Sequence, residues 1–332
     1  MTAARTVWLN GPRDLELRDE VLAAPQPGEL LCETIVSAIS PGTELAAYTG
    51  QKPLRPSVVY PRLQGYCNVA RVVESKAEGF APGDHILSFT SHRSHFLLPT
   101  GEVLYKLPEG ANAGHIACTY LYHLGYNAVL RSGVRAGSRV LVIGLGALGL
   151  TTVAMAALAG AQVVALSDQA EPARIAQALG ASVVHGRDDI DALAGALGPG
   201  LADVVVSTTN GWDDWAAALR LAGQNGVIAA LGFPGRNAAP GDFNPLDSQY
   251  FYMKQLRIEA VGASPEQDDS RNFLRFNERA NIAYLAGLIQ DGRLDPSRLI
   301  SGRYPGAEIA RAYDDLLARM GSPVTYLLEW TA

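Results

Sequence analysis

Residues 140–168, VLVIGLGALGLTTVAMAALAGAQVVALSD, carry the clearest chemical signal in this 332-residue chain. Val140 to Ile143 form a short apolar run, the pattern of a strand covered on both faces. Gly144, Gly146 and Gly149 follow in G-x-G-x-x-G spacing and open an Ala- and Leu-rich helical segment. A second apolar run, Val163 to Leu166, ends at Ser167-Asp168. Strand, glycine turn, helix, strand and acid in this order form the fingerprint of a dinucleotide site. Gly144 permits the tight turn, Gly146 lets a pyrophosphate approach the backbone, and Gly149 lets helix and strand pack closely. The helix start at Ala147 and Leu148 offers unpaired N–H groups and the positive end of a dipole to the phosphates.

The elements around this motif follow from pattern and punctuation. The stretch from Val140 to Leu166 has no charged residue and is long enough to mimic a membrane span, but the glycine spacing and strand-like ends predict a buried strand–helix–strand unit. From Arg139 onward, strands are predicted at 140–143, 163–166, 183–185, 203–208, 226–231 and 256–261, alternating with helices. That alternation predicts a doubly wound sheet. Residues 1–110 read instead as short strands and turns, including Leu15–Leu17, Glu29–Val36, Val69–Val73 and His85–Leu87. Helices are predicted at 113–130, 272–290 and 308–320, with a short strand beginning at Arg303-Tyr304 and a last one at 325–330. Residues 234–254, with Asn237, Phe243, Asn244, Tyr250, Phe251 and Tyr252, are unusually aromatic for a linker and are candidates to line a cleft or a dimer contact.

Bulk properties narrow the function classes. A chain of 332 residues exceeds one ordinary core, so two domains are expected. Charged residues are 18% of the chain, the net charge is -6, and no Lys/Arg cluster occurs, which argues against nucleic acid as a partner. No signal-peptide core or membrane span is expected. The three cysteines, Cys32, Cys67 and Cys118, are isolated, so neither a disulfide framework nor a four-cysteine zinc lobe is expected. A reduced, cytoplasmic enzyme with a small-molecule substrate fits these bounds.

The order of Pro27-Gly28-Glu29, Pro41-Gly42-Thr43-Glu44, Gly65-Tyr66, Pro82-Gly83-Asp84, the glycine fingerprint and Leu179-Gly180-Ala181 resembles the medium-chain dehydrogenase/reductase family over nearly the whole chain. The resemblance implies an α/β architecture: a GroES-like, β-rich catalytic domain from residues 1–122 and 266–332, and a Rossmann cofactor domain at 123–265. It also implies NAD or NADP as cofactor and a homodimer joined through the cofactor-domain edge strand at 256–261. Within the family, the Ser37 to Glu44 stretch and Gly65-Tyr66 look like the bacteriochlorophyllide dehydrogenase branch. That branch carries an acid after the Gly-Tyr pair, where this chain has Cys67, so a pigment substrate is not carried over.

Departures from the zinc members of the family are specific. Where those members have C-G-T-D-x-H, this chain has Pro41 in the cysteine position and Ala46 in the histidine position. Where they have G-H-E, it has Gly65-Tyr66-Cys67. Catalytic zinc takes three protein ligands from Cys, His or carboxylate, so no metal is expected. By the same resemblance Thr43 stands in the position of a proton-relaying hydroxyl, and Tyr66 replaces a ligand facing the same cleft. His92 and His95 lie on the segment that crosses the barrel near it. Thr43, Tyr66, His92 and His95 are the catalytic candidates, with one histidine passing a proton from solvent. Each also has a structural role open to it: Thr43 as a turn cap, Tyr66 as a filler of vacated volume, the histidines as solvated loop residues. Glu44 is expected to anchor a loop through an internal ion pair, and Cys67 to be buried and inert.

The coenzyme contacts are assigned with one choice open. Counting by the family helix length places Ser167 at the adenosine ribose, and counting from the glycines places Asp168 there. A carboxylate favours NAD(H); a small residue would admit a 2′-phosphate that Arg174 could pair with. NAD(H) is the expected coenzyme. Thr208, Thr209, Gly232 and Phe233 are the further contacts implied by family position. The expected activity is zinc-independent hydride transfer between nicotinamide and an alcohol or ketone. The alternatives are reduction of an activated C=C bond, as in quinone and enoyl reductases, and a non-catalytic cofactor-binding or redox-sensing protein.

Overall fold

A computed structural model describes residues 1–51, 60–236, 238–239, 241, 243–262 and 273–331. The chain divides into two compact units, Met1–Tyr120 with Arg279–Ala332, and Leu121–Glu278. Asn237, the expected boundary at 266 and the expected helix start at Asn272 lie outside the described residues.

The unit Leu121–Glu278 holds one parallel sheet. Its strands run, in spatial order, Ala181–His185, Gln162–Leu166, Arg139–Ile143, Ala202–Ser207, Ala222–Ala230 and Arg257–Ala260. This is the doubly wound order, with the first strand in the centre and the reversal beside it. The reason lies in burial. Val140, Leu141, Val142 and Ile143 are all fully buried, and each such side chain contributes about 1.5–3 kcal/mol relative to an exposed one. A strand with no polar face can only sit in the middle of a sheet covered on both sides. The edge strand Arg257–Ala260 has no buried residue: its two end residues are exposed and the two between them half-buried.

The chargeless stretch folds as strand, glycine turn, helix Ala147–Leu158 and strand, and no described helix is long and apolar enough to cross a membrane. The aromatic segment after residue 234 has a packing role. Phe243, Tyr250 and Phe251 lie against the core of this unit, and the indoles of Trp212 and Trp215 donate to the Ala239 and Pro245 carbonyls at 3.0 and 3.2 Å.

The other unit is β-rich. A mixed sheet runs Ile300–Pro305, Thr325–Glu329, Glu29–Ala38, Asn68–Ser75, His85–Ser88 and Tyr105–Lys106, with His95–Pro99 also paired to Glu29–Ala38. Strands Thr2–Gly11 and Asp14–Leu22 form a hairpin beside it. The return segment thus supplies two neighbouring strands, of which Thr325–Glu329 pairs directly with Glu29–Ala38.

Three expectations change. The helix expected at 272–290 begins only at Glu278 and runs to Gln290, with the described residues 273–277 outside it. The expected helix at 113–130 is two helices, Ala113–Ala117 and Thr119–Ser132, separated at Cys118. Pro41-Gly42, expected to form a turn, begins the helix Pro41–Tyr48 instead. Proline is well placed in the first turn of a helix, where its missing N–H has no partner to lose.

The glycine turn tests the fold directly. A Cβ on Gly149 would lie 1.8 Å from the Gly144 carbonyl oxygen, whereas a Cβ on Gly146 would meet nothing within 4 Å. Gly149→Ala is expected to destabilise the protein by at least about 1–3 kcal/mol through overpacking. Gly146→Ala, at the N-cap of helix Ala147–Leu158, should cost no more than about 1 kcal/mol. Urea unfolding of the two variants checks this, and equal losses would contradict it.

Candidate active site

In the parallel-sheet unit, the glycine turn is built for a phosphate-bearing ligand. Gly144 adopts a φ of 86°, a left-handed conformation, and any Cβ there would strike Thr209 Cγ2 at 2.4 Å. The Thr208 hydroxyl bonds the Ile143 carbonyl at 2.9 Å and pins the turn to the neighbouring strand. Gly146 caps helix Ala147–Leu158 without any side-chain cap and faces open space. Ala147 and Leu148 are half-buried at that helix start. An uncapped N-terminus with space before it is an anion site by geometry and dipole.

One observation tests whether a dinucleotide fits. Thr209 Oγ1 is buried and has no hydrogen-bond partner. A buried hydroxyl without a partner costs about 1–3 kcal/mol, so its position at the end of the central strands is explained by a ligand that satisfies it. Gly232 sits against the Thr208–Thr209 backbone, where a Cβ would come within 2.5 Å of the Thr209 carbonyl. Phe233 is 40% exposed, and its N–H donates to Asn210 Oδ1 at 3.0 Å. The residues present therefore fit a dinucleotide.

At the end of strand Gln162–Leu166 the two candidate ribose residues behave differently. Ser167 Oγ accepts from the Gln169 N–H at 3.2 Å, a local turn contact. Asp168 is more than half exposed and is held by Arg187, through the backbone N–H at 2.7 Å and through the guanidinium. The Arg187 backbone N–H and then its guanidinium lower the Asp168 pKa. Arg174 is committed elsewhere: it lies in a two-point pair with Glu171 at 2.6 and 3.0 Å, so the cation next to Asp168 is Arg187.

In the β-rich unit, Glu44 organises the candidates. Its carboxylate is buried yet accepts three hydrogen bonds: from the Ser40 N–H at 2.7 Å, the Tyr313 hydroxyl at 2.5 Å and His92 Nε2 at 2.9 Å. His92 Nδ1 lies 2.8 Å from Ser37 Oγ, which also accepts from Trp330 Nε1 at 3.0 Å. His92 is therefore not the solvent-facing loop residue expected from sequence. It is fully buried with both ring nitrogens bonded, and it cannot fetch a proton from water. Gly65 makes room for it: a Cβ there would lie 2.4 Å from the His92 ring. His95 lies in strand His95–Pro99, opposite Glu33, with its Nε2 3.9 Å from that carboxylate.

Tyr66 is half-buried and donates its hydroxyl to Ser40 Oγ at 2.6 Å. Burial, with Cys67 and Glu44 nearby, pushes the phenol well above its ordinary pKa, so it stays a neutral donor. Its ring packs edge-on against Tyr120, and Tyr120 against Phe89. Thr43 is exposed as the third residue of helix Pro41–Tyr48. Cys67 is fully buried, and burial drives its thiol far from ionisation, which leaves it inert. Among the described residues, no three His, Cys, Asp or Glu side chains gather as a metal-holding group. Tyr313, Trp330 and Arg187 carry no motif, and only the fold brings them to these places; Ser37 and Ser40 lie in the Ser37 to Glu44 stretch, but nothing in that stretch assigns them these bonds.

Comparison with known proteins agrees with this geometry. A family model described as the N-terminal domain of oxidoreductase matches residues 3–107, and one described as zinc-binding dehydrogenase matches residues 147–279. A 2-desacetyl-2-hydroxyethyl bacteriochlorophyllide A dehydrogenase of Rhodobacter capsulatus is 27% identical over 332 residues, 93% of each chain. Its namesake from Cereibacter sphaeroides is 46% identical over 81 residues, which span 24% of this chain and 26% of that one. A solved structure from Sinorhizobium meliloti, described as a zinc-binding dehydrogenase bound to NADP, superposes with a TM-score of 0.81 at 22% identity and covers 99% of this chain and 100% of its own. The two matched segments, the relative that spans nearly the whole chain and the shared fold together show that this chain belongs to the medium-chain dehydrogenase/reductase family of oxidoreductases.

Proposed function

We propose that this protein is a zinc-independent, NAD(P)-dependent dehydrogenase/reductase that moves a hydride between nicotinamide and an alcohol or ketone carbon of a small molecule. The observation that carries this reading is Tyr66: a neutral phenol, hydrogen-bonded to Ser40, stands where zinc relatives place a ligand. The coenzyme supplies the hydride when bound. The chain's own task is then to hold the substrate oxygen and handle its proton. A neutral tyrosine donates to a developing alkoxide without burying a charge, and its present bond to Ser40 Oγ is exchanged for one to substrate. In the reducing direction the phenol proton goes to the substrate oxygen and is replaced through the Ser40 hydroxyl, which gives up one proton as it takes another; oxidation runs the same transfer in reverse. His92 positions Glu44, which in turn fixes the Ser40 backbone. His95, on its strand beside Glu33, is the more exposed histidine and the group left for exchange with solvent.

Asp168 supports NAD(H) as the preferred coenzyme, since a carboxylate accepts from the ribose diol and repels a 2′-phosphate. The Sinorhizobium meliloti structure described above holds NADP, so the preference of this chain is set by its own residues. The absence of catalytic zinc is supported by Pro41 and Ala46 within a helix and by Tyr66 bonded to Ser40. A homodimer through Arg257–Ala260 is supported by the edge position of that strand.

Tyr66→Phe is expected to lower kcat about 100-fold, the range for losing one such donor, with coenzyme affinity unchanged. Steady-state kinetics over a panel of alcohols, ketones, quinones and enones, with coenzyme titration, reads this out. Full activity in the variant would reduce Tyr66 to a packing residue.

Purified protein is expected to hold no stoichiometric zinc and to keep its activity in a chelator. Elemental analysis finding about one zinc per chain, lost together with activity, would overturn the metal-free mechanism.

Sedimentation at micromolar concentration should show a dimer. A clean monomer there would contradict the edge-strand interface.

A further inference from the structure

The cation beside the candidate ribose acid is not the one the sequence nominates. The parallel register sets Leu166 opposite His185, so Asp168 and Arg187 each leave their strand two residues later at the same sheet end. Gly186 lets the two come close: a Cβ there would lie 3.1 Å from Asp168 Oδ1. Arg187 then grips two carboxylates at once. Its Nε and one terminal nitrogen meet the buried Asp214 at 2.8 and 2.9 Å, while its other terminal nitrogen and its backbone N–H meet the exposed Asp168. The Asp214 side chain is 6% exposed and that of Asp168 52%, so the arginine is anchored on its inner side and presents its outer side to solvent.

We propose that Arg187 acts with Asp168 in setting coenzyme preference: it orients Asp168 for the ribose diol, and it becomes the ligand of a 2′-phosphate once the Asp168 carboxylate is removed. This rests on the coenzyme-binding reading above. The charges decide the direction. Asp168, Asp214 and Arg187 together carry one net negative charge, with the exposed carboxylate outermost. A phosphate monoester bears about −1.5 to −2 charges and is repelled there, whereas two ribose hydroxyls find acceptor oxygens. Without Asp168 the sum is zero. The outer guanidinium nitrogen and the backbone N–H of Arg187 then point at the vacated space as a two-donor phosphate site. Asp214 keeps the arginine in place in either case.

The test compares four proteins: the parent, Asp168→Ser, Arg187→Ala with Asp214→Asn, and all three changes together. Asp214→Asn accompanies Arg187→Ala because the buried carboxylate would otherwise lose its counter-ion. NADH and NADPH are titrated onto each by coenzyme fluorescence, without substrate, and thermal melts check folding. The parent should prefer NADH. Asp168→Ser should reverse the preference, with NADPH binding tightened about tenfold or more by the freed donors. That gain should vanish in the triple variant. If the triple variant binds NADPH as tightly as Asp168→Ser, or if Asp168→Ser leaves the preference unchanged, the role of Arg187 is overturned. A parent protein that binds neither coenzyme overturns the coenzyme reading itself, a separate result.

Discussion

A carboxylate buried away from water must find its solvation in the protein, and Glu44 imposes that constraint on the whole β-rich unit. An unpaired buried charge is far more costly than the few kcal/mol any single contact supplies. Glu44 meets the demand with a backbone N–H, an imidazole and a phenol drawn from three separate parts of the chain. Each partner brings a requirement of its own. His92 needs Ser37 on its other nitrogen and a glycine at position 65; Ser37 also serves Trp330. The helix start that carries Ser40 and Thr43 beside Tyr66 is thereby fixed at its base, since the Ser40 N–H belongs to Glu44.

The two acids singled out in the sequence show how environment assigns different work to similar groups. Glu44 is sealed, and every contact it makes is internal. Asp168 is exposed and held from one side only, which leaves oxygen lone pairs for a ligand. Tyr66 and Tyr313 are a parallel case. Both are held neutral by burial, yet Tyr313 is fully enclosed and spent on Glu44, whereas Tyr66 bonds to a serine that it can exchange for another acceptor.

How much of this was legible beforehand follows from the range of the interactions. The parallel sheet was read closely because its strands are buried on both faces and announce themselves as apolar runs, and because the roles of Gly144, Gly146 and Gly149 depend on atoms a few residues away. Pro41-Gly42 signals a turn in the sequence; the helix wins there because proline loses nothing in a first turn and Glu44 reaches back to the helix start. The polar run Ser91-His92-Arg93-Ser94-His95 suggests a solvated His92, and no local pattern reveals that the ring lies under Gly65. Arg174 is the cation the sequence suggests because it lies near Asp168 along the chain, and nothing in the sequence points to Arg187. Adjacent strands, not adjacent residues, decide which cation arrives, and helix neighbours claim the other.

The donor from Tyr313 has a consequence in time as well as in space. It lies 269 residues beyond the carboxylate it serves. At about 5–20 residues per second, a ribosome needs on the order of tens of seconds to deliver it. The parallel-sheet unit is complete in the emerging chain before that, with all six strands made. The β-rich unit begins first and closes last, holding an ionisable group whose final ligand does not yet exist. Synthesis runs from Met1 onward, so folding that keeps pace with it completes the insert before the unit that encloses it in sequence, which is locked only when the last segment arrives.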